Sequence, residues 1–139
     1  MREKRESIMD IDCNNLLIIL SDYFSKKLNR TVKVNCDVKV KYVSYGMYDD
    51  TEAVPDIEFF IKEVSNNGKV VTTTTTYLDQ SDLEEAVSDY VSSLGYEYDS
   101  FKYVGGVRLA GYFRDEYEEA HFEGLEVKLK EKSMQRVLK

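Results

Sequence analysis

The side chains with most to offer chemically are carboxylates and tyrosines. Asp49, Asp50, Glu52, Asp56 and Glu58 crowd one stretch, Tyr96-Glu97-Tyr98-Asp99 a second, and Asp115-Glu116-Tyr117-Glu118-Glu119 a third. Carboxylates two residues apart on a strand share a face, about 6.6 Å apart. Asp56/Glu58 and Glu97/Asp99 have that spacing, which is near that of successive phosphates along one nucleic-acid strand. Tyrosine supplies large, rigid contact area with a polar tip and is enriched in interfaces. The chain holds 11 of them in 139 residues. A face of paired carboxylates interleaved with phenol rings can imitate a phosphate backbone and its stacked bases. The plainer reading is that tyrosines alternate in half-buried strands while the acids keep the sheet soluble.

Other chemistries find less support. Pro55-Asp56 followed by Glu126-Val127-Lys128 has the letters of the PD-(D/E)xK nuclease pattern, in which carboxylates hold a divalent ion and activate water. The separation of 70 residues from Asp56 to Glu126 is large for that family. The acidic 49–58 stretch lacks the glycine and the ligand spacing of an EF-hand loop. His121, the single histidine, sits among Glu119, Phe122 and Glu123, with no Ser or Cys in a nucleophile motif, and reads as a surface residue. Cys36 falls on the apolar face of an alternating run and reads as a small core residue. Cys13 lies near a helix start, where a thiolate can be stabilised, but a reduced thiol in a cytoplasmic protein is the expectation. Two cysteines and one histidine do not supply a structural zinc site. No GxGxxG or GxxxxGK[ST] loop is present. No catalytic residue, metal or cofactor is therefore expected. The enzymatic alternative is a metal-dependent hydrolase using Asp56, Glu126 and Lys128.

Length and composition frame these residues. At 139 residues with 42% apolar and 32% charged side chains, one domain with its own core is expected, without metal or disulfide staples. The longest apolar run, Leu16 to Leu20, is too short to span a membrane. It also lacks the basic flank of a signal peptide, since Asp10, Asp12, Asn14 and Asn15 precede it. The net charge of −7 is unevenly placed: +3 over residues 1–48, −14 over 49–126 and +4 over 127–139. Such asymmetry speaks to partners and solubility. An acidic face repels nucleic-acid phosphates and attracts a basic groove built for them.

The elements that must position the acids follow from periodicity. Residues 1–9 read as a frayed, charged N-terminus, with Met9 a possible alternative start, 10–132 as one domain, and 133–139 as a basic tail. Asp12 or Asn14 caps a helix bearing Leu16, Ile19, Leu20, Tyr23, Phe24 and Leu28, with Asn29 as its stop. Val32 to Tyr42 alternates without error and reads as a strand. Residues 46–56 read as a polar loop, Asp56 to Val64 as a strand, Asn67-Gly68 as a hairpin turn, and Lys69 to Tyr77 as the return. Ser81-Asp82-Leu83-Glu84 matches a capping box before the stripe Leu83, Ala86, Val87, Tyr90, Val91 and Leu94, with Gly95 at C′. Tyr96–Tyr103 and Val107–Phe113 read as strands joined by a Gly105-Gly106 turn. Arg114–Gly124 fits a loop or a helical turn, and Leu125–Lys130 a last strand. The expected fold is α+β, in the order α-βββ-α-βββ: a mainly antiparallel sheet with two amphipathic helices on one face.

Two functions fit. In size, charge and tyrosine content across residues 49–126, the chain resembles small acidic inhibitors from phages and mobile elements, of the anti-CRISPR or DNA-mimic type. That resemblance implies a cytoplasmic, non-enzymatic protein that blocks the basic nucleic-acid-binding surface of a partner such as a bacterial defence nuclease. The partner-binding candidates, read from the residues themselves, are Asp49, Asp50, Glu52, Asp56, Glu58, Tyr96, Glu97, Tyr98, Asp99, Asp115, Glu116, Tyr117, Glu118 and Glu119. Neither a membrane nor direct nucleic-acid binding through the acidic face is expected. The alternative is an assembly module that self-associates or packs through its sheet edges, and a homo-oligomer is compatible with both.

Overall fold

A computed structural model describes residues 7–46, 50–111 and 116–130. The protein is α+β, with elements β1 (Ser7–Asp12), α1 (Cys13–Leu28), β2 (Val34–Tyr45), β3 (Asp50–Asn67), β4 (Val70–Leu78), α2 (Gln80–Ser93), β5 (Glu97–Ala110) and β6 (Tyr117–Lys130). The strands form two antiparallel sheets rather than one, ordered β1-β6-β5 and β2-β3-β4. Helix α1 packs on β6 and β2, α2 packs on β5 and β4, and the helices touch each other.

The order is β-α-βββ-α-ββ, which departs from expectation at both ends. Ser7–Met9, expected to fray, open β1, pairing antiparallel with Leu129–Val127 of β6. Met9 and Ile11 join or flank the core while Asp10 and Asp12 stay exposed, so even this short, charged segment alternates. The Gly105-Gly106 pair is not a turn. Strand β5 runs straight through it, with a register shift between Val104 and Gly105 against β6. A Cβ on Gly105 would lie 2.3 Å from the His121 carbonyl oxygen, so glycine is there to let two backbones close in at a bulge. Strand β5 ends at Ala110 and β6 begins at Tyr117, inside the stretch expected as a loop or helical turn, because β5 offers it a partner from Ala110 back; residues 112–115 lie outside the described residues.

Smaller shifts have local causes. Strand β3 begins at Asp50, inside the expected polar loop, because β2 continues to Tyr45 and offers it a partner throughout. Pro55 is tolerated there because β4 pairs β3 only from Phe59 onward, leaving that side without a ladder to break. The β3–β4 turn uses Gly68 at φ 69°, with Asn67 still paired in the strand. Glycine at the first central position is the pattern of a type II′ turn. Helix α2 is capped by Asp79 rather than Ser81. Its carboxylate accepts the Asp82 N–H at 2.9 Å, and the Asp82 carboxylate accepts the Asp79 N–H at 2.9 Å. Helix α1 starts from Asp12 and stops at Asn29, which turns left-handed at φ 55°.

The core lies where the helices meet both sheets. Leu16, Leu20 and Phe24 come from α1, Leu83, Ala86, Val87 and Val91 from α2, Leu125, Val127 and Leu129 from β6, and Val34, Phe59 and Ile61 from β2 and β3. Each fully buried Leu or Val removes enough apolar area from water for about 1.5–3 kcal/mol. Phe59 links the sheets, with its ring edge-on to Phe122 at 5.8 Å and stacked with Tyr103 at 6.4 Å. Among the described residues, no helix is long and apolar enough to cross a membrane.

Candidate partner-binding surfaces

Register decides what each strand-borne carboxylate faces. On the outer face of the β2-β3-β4 sheet, Asp56 lies directly opposite Lys39, Glu58 opposite Asp37, and Glu52 opposite Val43. Lys41 and Lys62 share that face, which therefore mixes both signs instead of presenting an acidic row. In the other sheet, Glu97 faces Lys130, Glu119 approaches Arg108 at 3.6 Å, and Glu126 approaches Lys102 at 3.2 Å. Asp99 sits at an irregularity between Tyr98 and Ser100 and accepts the Ser100 hydroxyl at 3.3 Å.

Two of the expected acidic stretches do converge. The Tyr42 hydroxyl donates to Glu118 at 3.2 Å, and Tyr42 pairs with Ala53, next to Glu52. The Glu118 carboxylate raises the Tyr42 phenol above its ordinary pKa. The 50–53 and 116–119 segments thus occupy one end of the molecule, with Glu116 and Tyr117 exposed there. Asp49 and Asp115 lie outside the described residues. Glu97 and Asp99 belong to the opposite end of β5, beside Tyr96, whose ring is exposed. The Tyr98 hydroxyl reaches Glu84 of α2 at 3.4 Å, and burial, together with that carboxylate, raises its pKa to about 12.

The letters of the nuclease pattern end up in different sheets, Asp56 on β3 and Glu126 and Lys128 on β6. Among the described residues, no group of three or more His, Cys, Asp or Glu converges as a metal site would require. Glycine 106 lies against the His121 ring, and His121 Nδ1 has no hydrogen-bond partner among the described residues. Cys36 is half-buried on the inner face of β2, and burial raises its thiol to about 12. Burial, and then Asp12, also raise the Cys13 thiol, the opposite of activation.

The unexpected concentration of acid lies on the helical side. Helix α2 carries Asp82, Glu85 and Asp89 at i, i+3 and i+7, one stripe on the face away from the core, as well as Glu84. Asp22 on α1 and Asp10 on β1 join them. Against these stand Lys26 and Lys27 of α1. Lys27 pairs with Glu85 at 2.8 Å, which lowers the pKa of Glu85 and raises that of Lys27. Between α1, α2 and β1 runs an open groove of about 460 Å³. Met9, Ile11, Ile18, Ile19 and Ala86 give it an apolar lining, Tyr23 and Tyr90 give it rings, and Asp10, Asp22 and Asp89 edge it, with Lys26 the one basic lining residue among the described residues. Burial and the neighbouring Glu85 carboxylate push the Tyr23 phenol to about 12, so it remains a neutral donor.

None of the groove acids belongs to the acidic stretches that stand out in the sequence. The acids of α2 fall at helical spacing within the 49–126 segment, but the partner-binding candidates that the sequence offers lie on strands and loops. Asp10 and Asp22 lie in a segment whose net charge is positive. Compared with family models, curated proteins and solved structures, the chain shows no significant match to any.

Proposed function

We propose that this protein is a non-enzymatic binding module whose acidic helical side occupies the basic, nucleic-acid-binding surface of a partner protein, as an inhibitor of the anti-CRISPR or DNA-mimic type would. One observation carries the reading: the α1–α2 groove combines an apolar lining with Asp10, Asp22 and Asp89 at its edge, against a single lysine among the described residues. Interfaces pair a desolvated apolar and aromatic centre with polar groups around it, and the groove has both parts. The carboxylates also set the partner's sign. Their field speeds association with a basic surface and disfavours acidic ones. The strand carboxylates are weaker candidates, because Lys39, Lys102, Arg108 and Lys130 stand opposite several of them.

The test is a pull-down with the full chain from host lysate, washed at stepped salt, beside the Asp22→Lys/Asp89→Lys variant. Wild type should retain a basic nucleic-acid-binding protein that moderate salt or added DNA releases, and the variant should not retain it. Equal retention by both chains, or retention that survives high salt, would count against the reading.

A further inference from the structure

Among the described residues the two sheets have four edges, and three are blunted. Strand β1 is short and carries Asp10 and Asp12. Strand β5 has two register irregularities and carries Glu97, Asp99, Lys102 and Arg108. At the start of β2, serines of α1 occupy the edge. Ser21 Oγ accepts the Val34 N–H at 2.9 Å, and Ser25 Oγ accepts the Val32 N–H at 2.9 Å. Charges, bulges and covering elements are the usual protections of a sheet edge. Among the described residues, strand β4 has none of them. Val70 to Leu78 contains no charge, proline or glycine, pairs with β3 in unbroken register, and is exposed from Val70 to Tyr77.

Its sequence is also self-complementary. Antiparallel pairing of two copies about Thr74 sets residues whose numbers sum to 148 opposite each other. Val70 then meets Leu78, Val71 meets Tyr77, and threonines meet threonines between them. Apolar and aromatic–β-branched cross-strand pairs and Thr–Thr pairs are among those that stabilise a sheet. One step beyond each end, the same register brings Lys69 beside Asp79 of the second copy, opposite charges at both ends of the seam. Asp79 already accepts the Asp82 N–H through Oδ1, and a carboxylate has lone pairs for more.

We propose that β4 is a homodimer edge. Two copies pair β4 to β4 about Thr74, joining their three-stranded sheets into one of six strands in the order β2-β3-β4-β4-β3-β2. The partner is a second copy of this chain, recognised by main-chain hydrogen bonds and by this palindromic side-chain pattern. The inference goes beyond the acidic-groove reading and is independent of it, because groove and edge share no residue.

Sedimentation velocity and cysteine cross-linking on the full chain test it. Wild type should show a concentration-dependent dimer. Thr73→Lys/Thr75→Lys sets lysine opposite lysine twice and should weaken the dimer roughly five- to tenfold. The Thr74→Cys chain should form a disulfide-linked dimer under added oxidant, since residues directly opposite in an antiparallel pair have Cα atoms ~4.5 or ~5.5 Å apart, within disulfide reach. Thr72→Cys alone should not cross-link, but mixed with Thr76→Cys it should. Wild type, which keeps Cys13 and Cys36, is the background control. All these threonines are exposed, and thermal melts check the fold. If the lysine variant melts below wild type, the cysteine series decides. A chain monomeric at every concentration, a dimer untouched by the two lysines in a folded variant, or equal cross-linking from positions 72 and 74 would overturn the proposal.

Discussion

The α1–α2 groove and the β4 edge are both exposed and partly apolar, and they are built from opposite materials. The groove is edged by Asp10, Asp22 and Asp89 and made of side chains. The edge has no charge over nine residues and offers mainly backbone. Charge at a surface gives a partner's sign, a fast encounter and a salt dependence. An uncharged strand edge gives direction and register, and is far less sensitive to salt. The chain thus carries two exposed surfaces of contrasting chemistry. The difference teaches that the net charge of −7 describes only one of them.

Both surfaces rest on one core, so the largest expected effect strikes them together. Phe59 is 2% exposed and touches Tyr103 and Phe122 across the sheet junction. Phe59→Ala should cost about 3–5 kcal/mol of stability, from lost burial plus the cavity left behind. Urea unfolding followed by circular dichroism measures it. A loss below about 1 kcal/mol would mean that the sheets are held together elsewhere.

The next effect separates the surfaces. Asp22→Lys/Asp89→Lys should weaken binding of a basic partner by tenfold or more, about 1.4 kcal/mol per factor of ten, and leave the sedimentation behaviour of the free chain unchanged. Both residues are exposed on their helices, so the fold should tolerate the change. Calorimetric titration with the partner recovered from the pull-down reads the first effect. Loss of self-association in this variant would show that the two surfaces are coupled.

How much of this was legible in the residues differs by element. The periods of α1 and α2 and the alternation of β2 identify those elements because each repeats long enough to outvote its exceptions. Strand β1 is not legible, because six residues containing two aspartates look like a charged terminus until β6 is there to pair with them. Gly105-Gly106 reads as a turn on local chemistry, and only the close approach of the His121 backbone reveals a bulge. For the site, residue types were legible and faces were not. Nothing in Asp56 announces Lys39 across the ladder, because register is a property of two strands. The β4 pattern lay in plain view as a threonine run. Its meaning depends on its being an edge, which is a fact of topology.

Acid should sharpen the contrast further. The Arg30 guanidinium grips both Glu63 oxygens, at 2.6 and 3.0 Å, and holds that carboxyl below its ordinary pKa, while Lys27 and Tyr23 do the same for Glu85. A carboxyl whose folded pKa is depressed contributes stability that is present above its unfolded pKa and lost as pH falls through the folded one. The melting temperature should therefore decline as pH drops below the ordinary carboxylate range, and Glu63→Gln/Glu85→Gln should flatten that decline. All four ionic partners are surface groups, so the effect should be small. An unchanged pH profile in the double variant would show that other carboxylates carry the acid sensitivity.

The smallest effect on stability discriminates most finely, since it asks whether an exposed side chain does anything at all. Val71 is 62% exposed and lies on the outer face of β4. In the monomer it has little to lose, so Val71→Thr should leave stability within about 0.5 kcal/mol of wild type. In the paired edge it faces Tyr77 of the second copy, and twofold symmetry makes that contact twice. At about 0.2–1 kcal/mol per cross-strand pair, the dimer should weaken measurably while groove binding stays as it was. A melt that does not move, beside a sedimentation profile that does, would assign Val71 to assembly rather than to folding. If neither moves, β4 is not paired in this register, whatever its composition invites.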